Sequence, residues 1–174
     1  MKQGEIEWSS RVVVGKPYTK TPIFRAEMKY VVLNPTWTVP SSIVSKEILP
    51  GMRRDPNYLA RKGYKQIDGQ FVQPAGERNA LGRIKLMFPN PHAVYLHDTP
   101  SKSFFNETSR TFSHGCVRVQ KPVELATLVL DDPAWTTQSL EAAIATGTTR
   151  QIMLKKPIPV LILYWTAAVD ADGR

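Results

Sequence analysis

The chain holds one cysteine and three histidines. The cysteine and two of the histidines fall in two short segments. One is Tyr95-Leu-His97-Asp98-Thr99-Pro100; the other is Phe112-Ser113-His114-Gly115-Cys116-Val117-Arg118-Val119. Nucleophilic thiol chemistry needs an accessible sulfur and a base or cation that raises its thiolate fraction. The base must be oriented through its other nitrogen, and backbone N–H groups must face the place where an oxyanion develops. Cys116 follows a glycine and precedes a strand, so the turn before it can expose the sulfur. Gly115 lets the backbone turn tightly and approach a ligand closely. The amides of His114, Gly115 and Cys116 are candidates for the oxyanion hole.

Two histidines compete for the role of base. His114 lies two positions before Cys116, but a sharp turn at Gly115 would aim the two side chains apart. His114 then contributes either a second catalytic group or only its backbone. His97 lies nineteen positions upstream of Cys116, and the intervening loop is long enough to bring the two side by side. We therefore expect His97 to be the base. Ser113 either hydrogen-bonds near the thiol or shapes the turn. Arg118 is placed to clamp a substrate carboxylate, the alternative being a salt bridge or a solvated strand position. Tyr95 shares a strand face with His97 and either lines the cleft or packs in the core.

Other chemistries fit less well. His97, Asp98, His114 and Cys116 are conceivable zinc ligands, yet His114 and Cys116 are too close to match a familiar ligand spacing. No metal and no cofactor is expected. Papain-like enzymes place cysteine before histidine, and caspases place the histidine about 50 residues upstream in another motif. A sortase-like transpeptidase also uses His, Cys and Arg, but not with this close spacing or with glycine before the cysteine.

Several elements must position these residues. Arg11–Gly15, Lys29–Leu33, Arg83–Phe88, His92–His97, Val117–Val119, Arg150–Leu154 and Val160–Trp165 read as strands. Arg83–Phe88 alternates as a half-buried strand, with Ile84, Leu86 and Phe88 on one side and Arg83 and Lys85 on the polar other, Arg83 being expected to be solvated. It is expected to pair with His92–His97 as a hairpin. Val160–Trp165 is apolar on both faces and is expected to be central in its sheet. Ser41–Leu49 reads as a short helix closed by Pro50-Gly51. Asp55-Pro56 opens a second helix that ends at Gly63. Pro122–Leu130 and Gln138–Thr146 are further helices. Residues 64–82 and 98–112 read as loops, and Trp37 and Trp165 as packing anchors. The expected fold is α+β, one domain over residues 1–174, with a mostly β core and short peripheral helices.

Composition bounds the function. Lysine and arginine exceed aspartate and glutamate, 23 to 15, giving a net charge of +8. A basic surface favours polyanionic partners, whether nucleic acid, an anionic membrane or an anionic cell-wall polymer, and the charge does not choose among them. No dense basic run with interleaved aromatics supports a nucleic-acid partner. The N-terminal Met1-Lys-Gln-Gly-Glu5 leads into no apolar stretch, so no signal peptide is expected there. The apolar region Pro157–Val169 is shorter than the ~20 residues of a membrane span, so no transmembrane segment is expected. A single cysteine excludes an intrachain disulfide.

Ser113-His-Gly-Cys-Val-Arg-Val119, with a histidine about twenty residues earlier, resembles the signature of the YkuD (L,D-transpeptidase) family. Asn34-Pro-Thr-Trp-Thr-Val-Pro40, Asn79-Ala-Leu-Gly-Arg-Ile-Lys85, Met87-Phe-Pro-Asn90 and Leu163-Tyr-Trp-Thr166 resemble the branch typified by large periplasmic enzymes of Gram-negative bacteria. The resemblance implies a β-rich catalytic domain acting on peptidoglycan tetrapeptide stems. The implied reaction makes an acyl-enzyme at Cys116 with His97 as base, then passes the acyl group to an amine to give 3→3 cross-links. It also implies a periplasmic or cell-envelope location. A backbone carbonyl or small polar residue often orients the family's histidine; here Asp98 follows His97, and the third group stays open. Residues 35–82 correspond to a lid or capping region, shortened at 64–82. A non-catalytic peptidoglycan-binding module is the remaining alternative. Oligomeric state and acyl acceptor are not legible.

Overall fold

A computed structural model describes residues 6–164. The expected Trp165 anchor and the end of the last strand lie outside the described residues. The fold is α+β, as expected, and its centre is a seven-stranded mixed sheet. In chain order its strands are β1 (Val12–Gly15) and β2 (Phe24–Leu33). After the short strands β3 (Trp37–Thr38), β4 (Lys65–Ile67) and β5 (Gln70–Gln73) come β6 (Ile84–Met87) and β7 (Leu96–His97). β8 (Thr111–Ser113), β9 (Val117–Val119) and β10 (Arg150–Ile162) complete the set. Their order across the sheet is β10-β2-β6-β7-β9-β1-β8, with β7–β9 and β1–β8 parallel.

One face of this sheet is covered by helices α4 (Pro122–Leu130) and α5 (Thr137–Ala145). Val123, Ala126 and Leu130 of α4 and Leu140 and Ile144 of α5 pack with Val31, Leu33, Ile84, Leu86 and Phe88. Strand alternation sends Ile84 and Leu86 into this core and Lys85 to the opposite face. Thr136 caps α5, its hydroxyl accepting from the Ser139 N–H at 3.2 Å.

The region 35–82 makes a second, smaller layer. Its three-stranded sheet has the order β3-β5-β4. Residues 64–82 were expected as loop, but Asp68 and Gly69 both take positive φ, 48° and 76°. This is the geometry of a tight hairpin turn, and it pairs β4 with β5.

The helix from Ser41 was expected to stop at Pro50-Gly51. It runs on as α1 (Ser41–Ile43), a π-helical turn (Val44–Ile48) and α2 (Leu49–Arg54). The Leu49 N–H reaches the Val44 carbonyl, a widened turn that stands just before Pro50. Pro50 thus sits in the first turn of α2, where its missing N–H costs little. Gly51 is in van der Waals contact with Tyr58; a Cβ there would lie 2.5 Å from its ring. α3 (Tyr58–Lys62) ends at Gly63 in the left-handed region, as expected.

Two further expectations change. The two C-terminal strands are one strand, β10, whose register shifts between Met153 and Ile158. It lies at the sheet edge rather than the centre, and Leu161 is 61% exposed there; an apolar run can face solvent when only alternate residues pack. The strand expected over 92–97 is reduced to Leu96–His97. Asn90 holds the preceding residues in a loop. Its Oδ1 accepts from the N–H groups of His92 and Val94, and its Nδ2 donates to the carbonyls of Phe88 and Val94. Within 98–112, a 3-10 turn (Lys102–Asn106) buries Phe105.

Candidate active site

β7 and β9 lie side by side in parallel, with Leu96 beside Val117 and His97 beside Arg118. The Val117 N–H donates to the Tyr95 carbonyl at 3.1 Å, continuing the ladder toward Cys116. Side chains alternate along a strand, so Tyr95, His97, Cys116 and Arg118 emerge on one face. β6 places Lys85 opposite His97, on the same face. This face is the one α4 and α5 leave uncovered.

His97 is buried, and its ring meets that of Tyr95 edge-on at 5.7 Å between centroids. Its Nδ1 lies 2.5 Å from the Asp98 carbonyl oxygen. A carbonyl only accepts, so Nδ1 carries the proton and Nε2 is left with a free lone pair. Burial pushes the imidazole pKa down to about 4, helped by the Arg118 and Lys85 charges and opposed by Asp98. His97 is therefore a neutral imidazole near pH 7.

Cys116 is half-buried and is the free thiol of the chain. Its sulfur lies 3.8 Å from the Ala93 carbonyl, within reach of an S–H donor. Burial pushes its pKa up, while hydrogen bonds from Tyr95 and the Lys85 and Arg118 charges pull the other way. Tyr95 is a neutral phenol: burial and the nearby thiol raise its pKa, and the Trp37 indole opposes them. The Lys85 ammonium sits 4.0 Å from the centre of the Tyr95 ring. The Arg118 guanidinium lies over Phe104 at 5.8 Å, and its buried Nε has no hydrogen-bond partner among the described residues.

The turn before Cys116 is tied down on one side. Ser113 is buried; its hydroxyl accepts from the Gly115 N–H at 3.1 Å and donates to the Cys116 carbonyl at 2.5 Å. Of the two roles considered for Ser113, its contacts are those of turn shaping. The Gly115 amide, one of the expected oxyanion donors, is engaged by Ser113, whereas the amides of His114 and Cys116 have no hydrogen-bond partner among the described residues. Gly115 has φ 120°, a value that favours glycine, and its carbonyl accepts from Thr21 Oγ1 at 2.8 Å. The His114 ring points elsewhere. It is exposed, and its Nε2 lies 2.7 Å from Glu47 Oε1 in the π-helical turn.

The structure thus gathers Tyr95, His97, Cys116 and Arg118, and turns the His114 side chain toward the 35–82 layer. It adds residues that sequence reasoning missed. Lys85 was read only as lying on the polar face of its strand; its strand alternation was visible, but not the neighbour across the sheet. Trp37 was read as packing only, and nothing local in the sequence marked Ala93 or Glu47. Among the described residues no cluster of three or more His, Cys, Asp or Glu could hold a metal ion. Nor is any helix among them long and apolar enough to cross a membrane.

Comparison with known proteins identifies the family. The YkuD family profile, described as an L,D-transpeptidase catalytic domain, matches residues 1–160. A Haemophilus influenzae protein provisionally named an L,D-transpeptidase is 32% identical over 189 aligned residues, covering 97% of this chain. The chain spans 39% of that relative's length. A seven-stranded sheet in which the strand carrying His97 lies parallel to the strand that begins just after Cys116, together with a match over nearly the whole chain, assigns the protein to the YkuD family of L,D-transpeptidase catalytic domains.

Proposed function

We propose that this single domain is a cysteine-dependent L,D-transpeptidase acting on peptidoglycan tetrapeptide stems. The observation that carries the reading is the His97 imidazole, fixed as the Nδ1–H tautomer by the Asp98 carbonyl and next to the Cys116 strand. A raised thiol pKa beside a lowered imidazole pKa favours an uncharged pair at rest. The expected populated thiolate is thus replaced by proton transfer during attack.

Cys116 Sγ attacks the carbonyl of the stem's third residue while its proton passes to His97 Nε2. The amides of His114 and Cys116 stabilise the oxyanion. When the C–N bond breaks, His97 returns the proton to the amine of the departing terminal D-alanine. A side-chain amine of a neighbouring stem then attacks the thioester, His97 takes the amine's proton, and the thiolate leaves and is reprotonated. The product is a 3→3 cross-link. Arg118, charged and with its Nε unpartnered among the described residues, binds a stem carboxylate, and Tyr95 lines the cleft beside it. Residues 35–82 act as a short lid, touching the site through Trp37 and Glu47. A protein with this reaction works in the periplasm or cell envelope.

Incubation with a carbapenem tests the reading. Intact mass spectrometry is expected to find one adduct per chain, mapped to Cys116. A folded protein that gains no adduct, or gains one elsewhere, would favour a non-catalytic wall-binding module instead.

A further inference from the structure

Asp98 uses every polar atom it has. Its N–H donates to the Ile84 carbonyl at 2.8 Å and its own carbonyl accepts from His97 Nδ1. Oδ2 accepts from the Arg83 N–H at 3.0 Å, and Oδ1 is paired with the Lys102 ammonium. The carboxylate is only 2% exposed, so it stands in the protein interior with its charge met by a surface turn. Gly82 makes the room: it has φ 61°, and a Cβ there would fall 2.5 Å from Asp98 Oδ2. Backbone freedom and close approach both call for glycine at that position.

The knot lies outside the reacting cleft. Gly82, Arg83, Asp98 and Lys102 line a cavity of about 570 Å³ that also touches Asn34 and Glu141. Lys85, Tyr95, His97, Cys116 and Arg118 do not line it. Asp98 therefore reaches His97 through its main chain while its side chain is gripped from behind.

We propose that the Asp98 carboxylate, held by the Arg83 amide, Lys102 and the space left at Gly82, is a positioning device that fixes the tautomer of His97. This rests on the proposed role of His97 as base. With Nδ1–H fixed, Nε2 always presents a lone pair to the thiol; with the anchor lost, the carbonyl swings and the tautomers mix. Asp98 is a positioning residue, since none of its atoms faces the reacting sulfur.

The charged and titratable groups around His97 are Lys85 from β6, Arg118 from β9, Tyr95 on its own strand and Asp98 itself. Of these, Asp98 favours the protonated imidazole, so removing its charge moves the acid limb of the rate profile to lower pH.

The test uses the full chain with nitrogen-15 in its histidines. Wild type is expected to show His97 as the Nδ1–H tautomer and to acylate with a carbapenem. Asp98→Ala is expected to mix the tautomers and slow acylation at least about tenfold, as loss of an orienting partner does elsewhere. Asp98→Asn keeps an acceptor for the Arg83 N–H and is expected to recover most of that rate, with the acid limb still displaced. Lys102→Met touches only the half-exposed ammonium, decides the matter if Asp98→Ala does not fold, and is expected to shift tautomer and rate in the same direction by less. Unchanged tautomer and pH profile in the folded variants, with a reactive wild type, overturn the inference and leave the proposed function standing. A wild type that forms no adduct overturns both.

Discussion

The two layers of this molecule are built differently. The large sheet buries its residues against α4 and α5, and Phe88, Leu33, Ile84 and Leu86 are fully enclosed. The small cluster of the 35–82 layer encloses Val39, Ile43, Ile48 and Phe71, and Trp37, Tyr58 and Tyr64 packed against it are only half-covered. Tight packing belongs to the layer that holds His97 and Cys116 in register. The looser layer meets the site through single contacts, Glu47 to His114 and Trp37 toward Tyr95. Reacting groups need fixed geometry, and loosely packed regions open at lower free energy than tightly packed ones.

The sharpest way to break this comparison is at the two histidines. His97→Ala, on the rigid layer, is expected to slow Cys116 acylation by about 10²–10⁴-fold, the usual contribution of a general base. His114→Ala, whose ring faces the looser layer, is expected to retain most of the rate. Single-turnover acylation of variants shown to be folded by circular dichroism checks both; a dead His114→Ala beside an active His97→Ala would reverse the assignment.

Core truncation comes next. Phe88→Ala is expected to cost about 3–5 kcal/mol of global stability, read as a lower urea midpoint. Native-state hydrogen exchange should find the amides of β4 and β5 opening at lower free energy than those of β2 and β6. Equal protection in both layers would remove the distinction.

A third effect follows from the buried imidazole. His97 has its pKa held at about 4 by burial, against 6.5 for an ordinary histidine. Below pH 6.5 the unfolded chain binds a proton that the folded chain refuses until about pH 4. Stability is therefore complete above pH 6.5 and declines as pH falls toward 4, by about 3 kcal/mol in all. Denaturant titrations at pH 7 and 4.5 should show a smaller loss for His97→Gln than for wild type, and parallel losses would contradict it.

The smallest effect is at the junction of the layers. Glu47→Gln removes the charge from an exposed pair and is expected to change stability by less than about 1 kcal/mol. A thermal melt would detect a larger loss.

The two residues proposed to react, His97 and Cys116, stood out in the sequence because a seven-residue motif and one upstream histidine carry them. Lys85 was not, because its partner across the sheet is fixed by strand register, which a local pattern of alternation does not contain. Asp98 stood next to His97 in plain view, yet its role depends on Gly82, sixteen positions earlier, leaving the space its carboxylate fills. The Asp68-Gly69 pair did carry a hairpin signal, masked by the glycine and proline around it. Pro50-Gly51 had the chemistry of a helix stop; the π-helical turn before it and the Tyr58 ring against Gly51 allowed the helix to continue. Apolar content on both faces misplaced β10, because it reports hydrophobicity and not position in a sheet.

That edge position bears on how the molecule behaves in a crowd. β10 is thirteen residues long and borders the sheet, a length that would ordinarily invite a neighbouring chain to add a strand. Its middle is spoiled for that purpose. Lys155 and Lys156 bring like charges, Pro157 and Pro159 lack N–H groups, and the register slips between Met153 and Ile158. At the far border β8 is only three residues long. Neither margin offers an unbroken row of donors and acceptors, so the open sheet resists edge-to-edge aggregation without closing into a barrel.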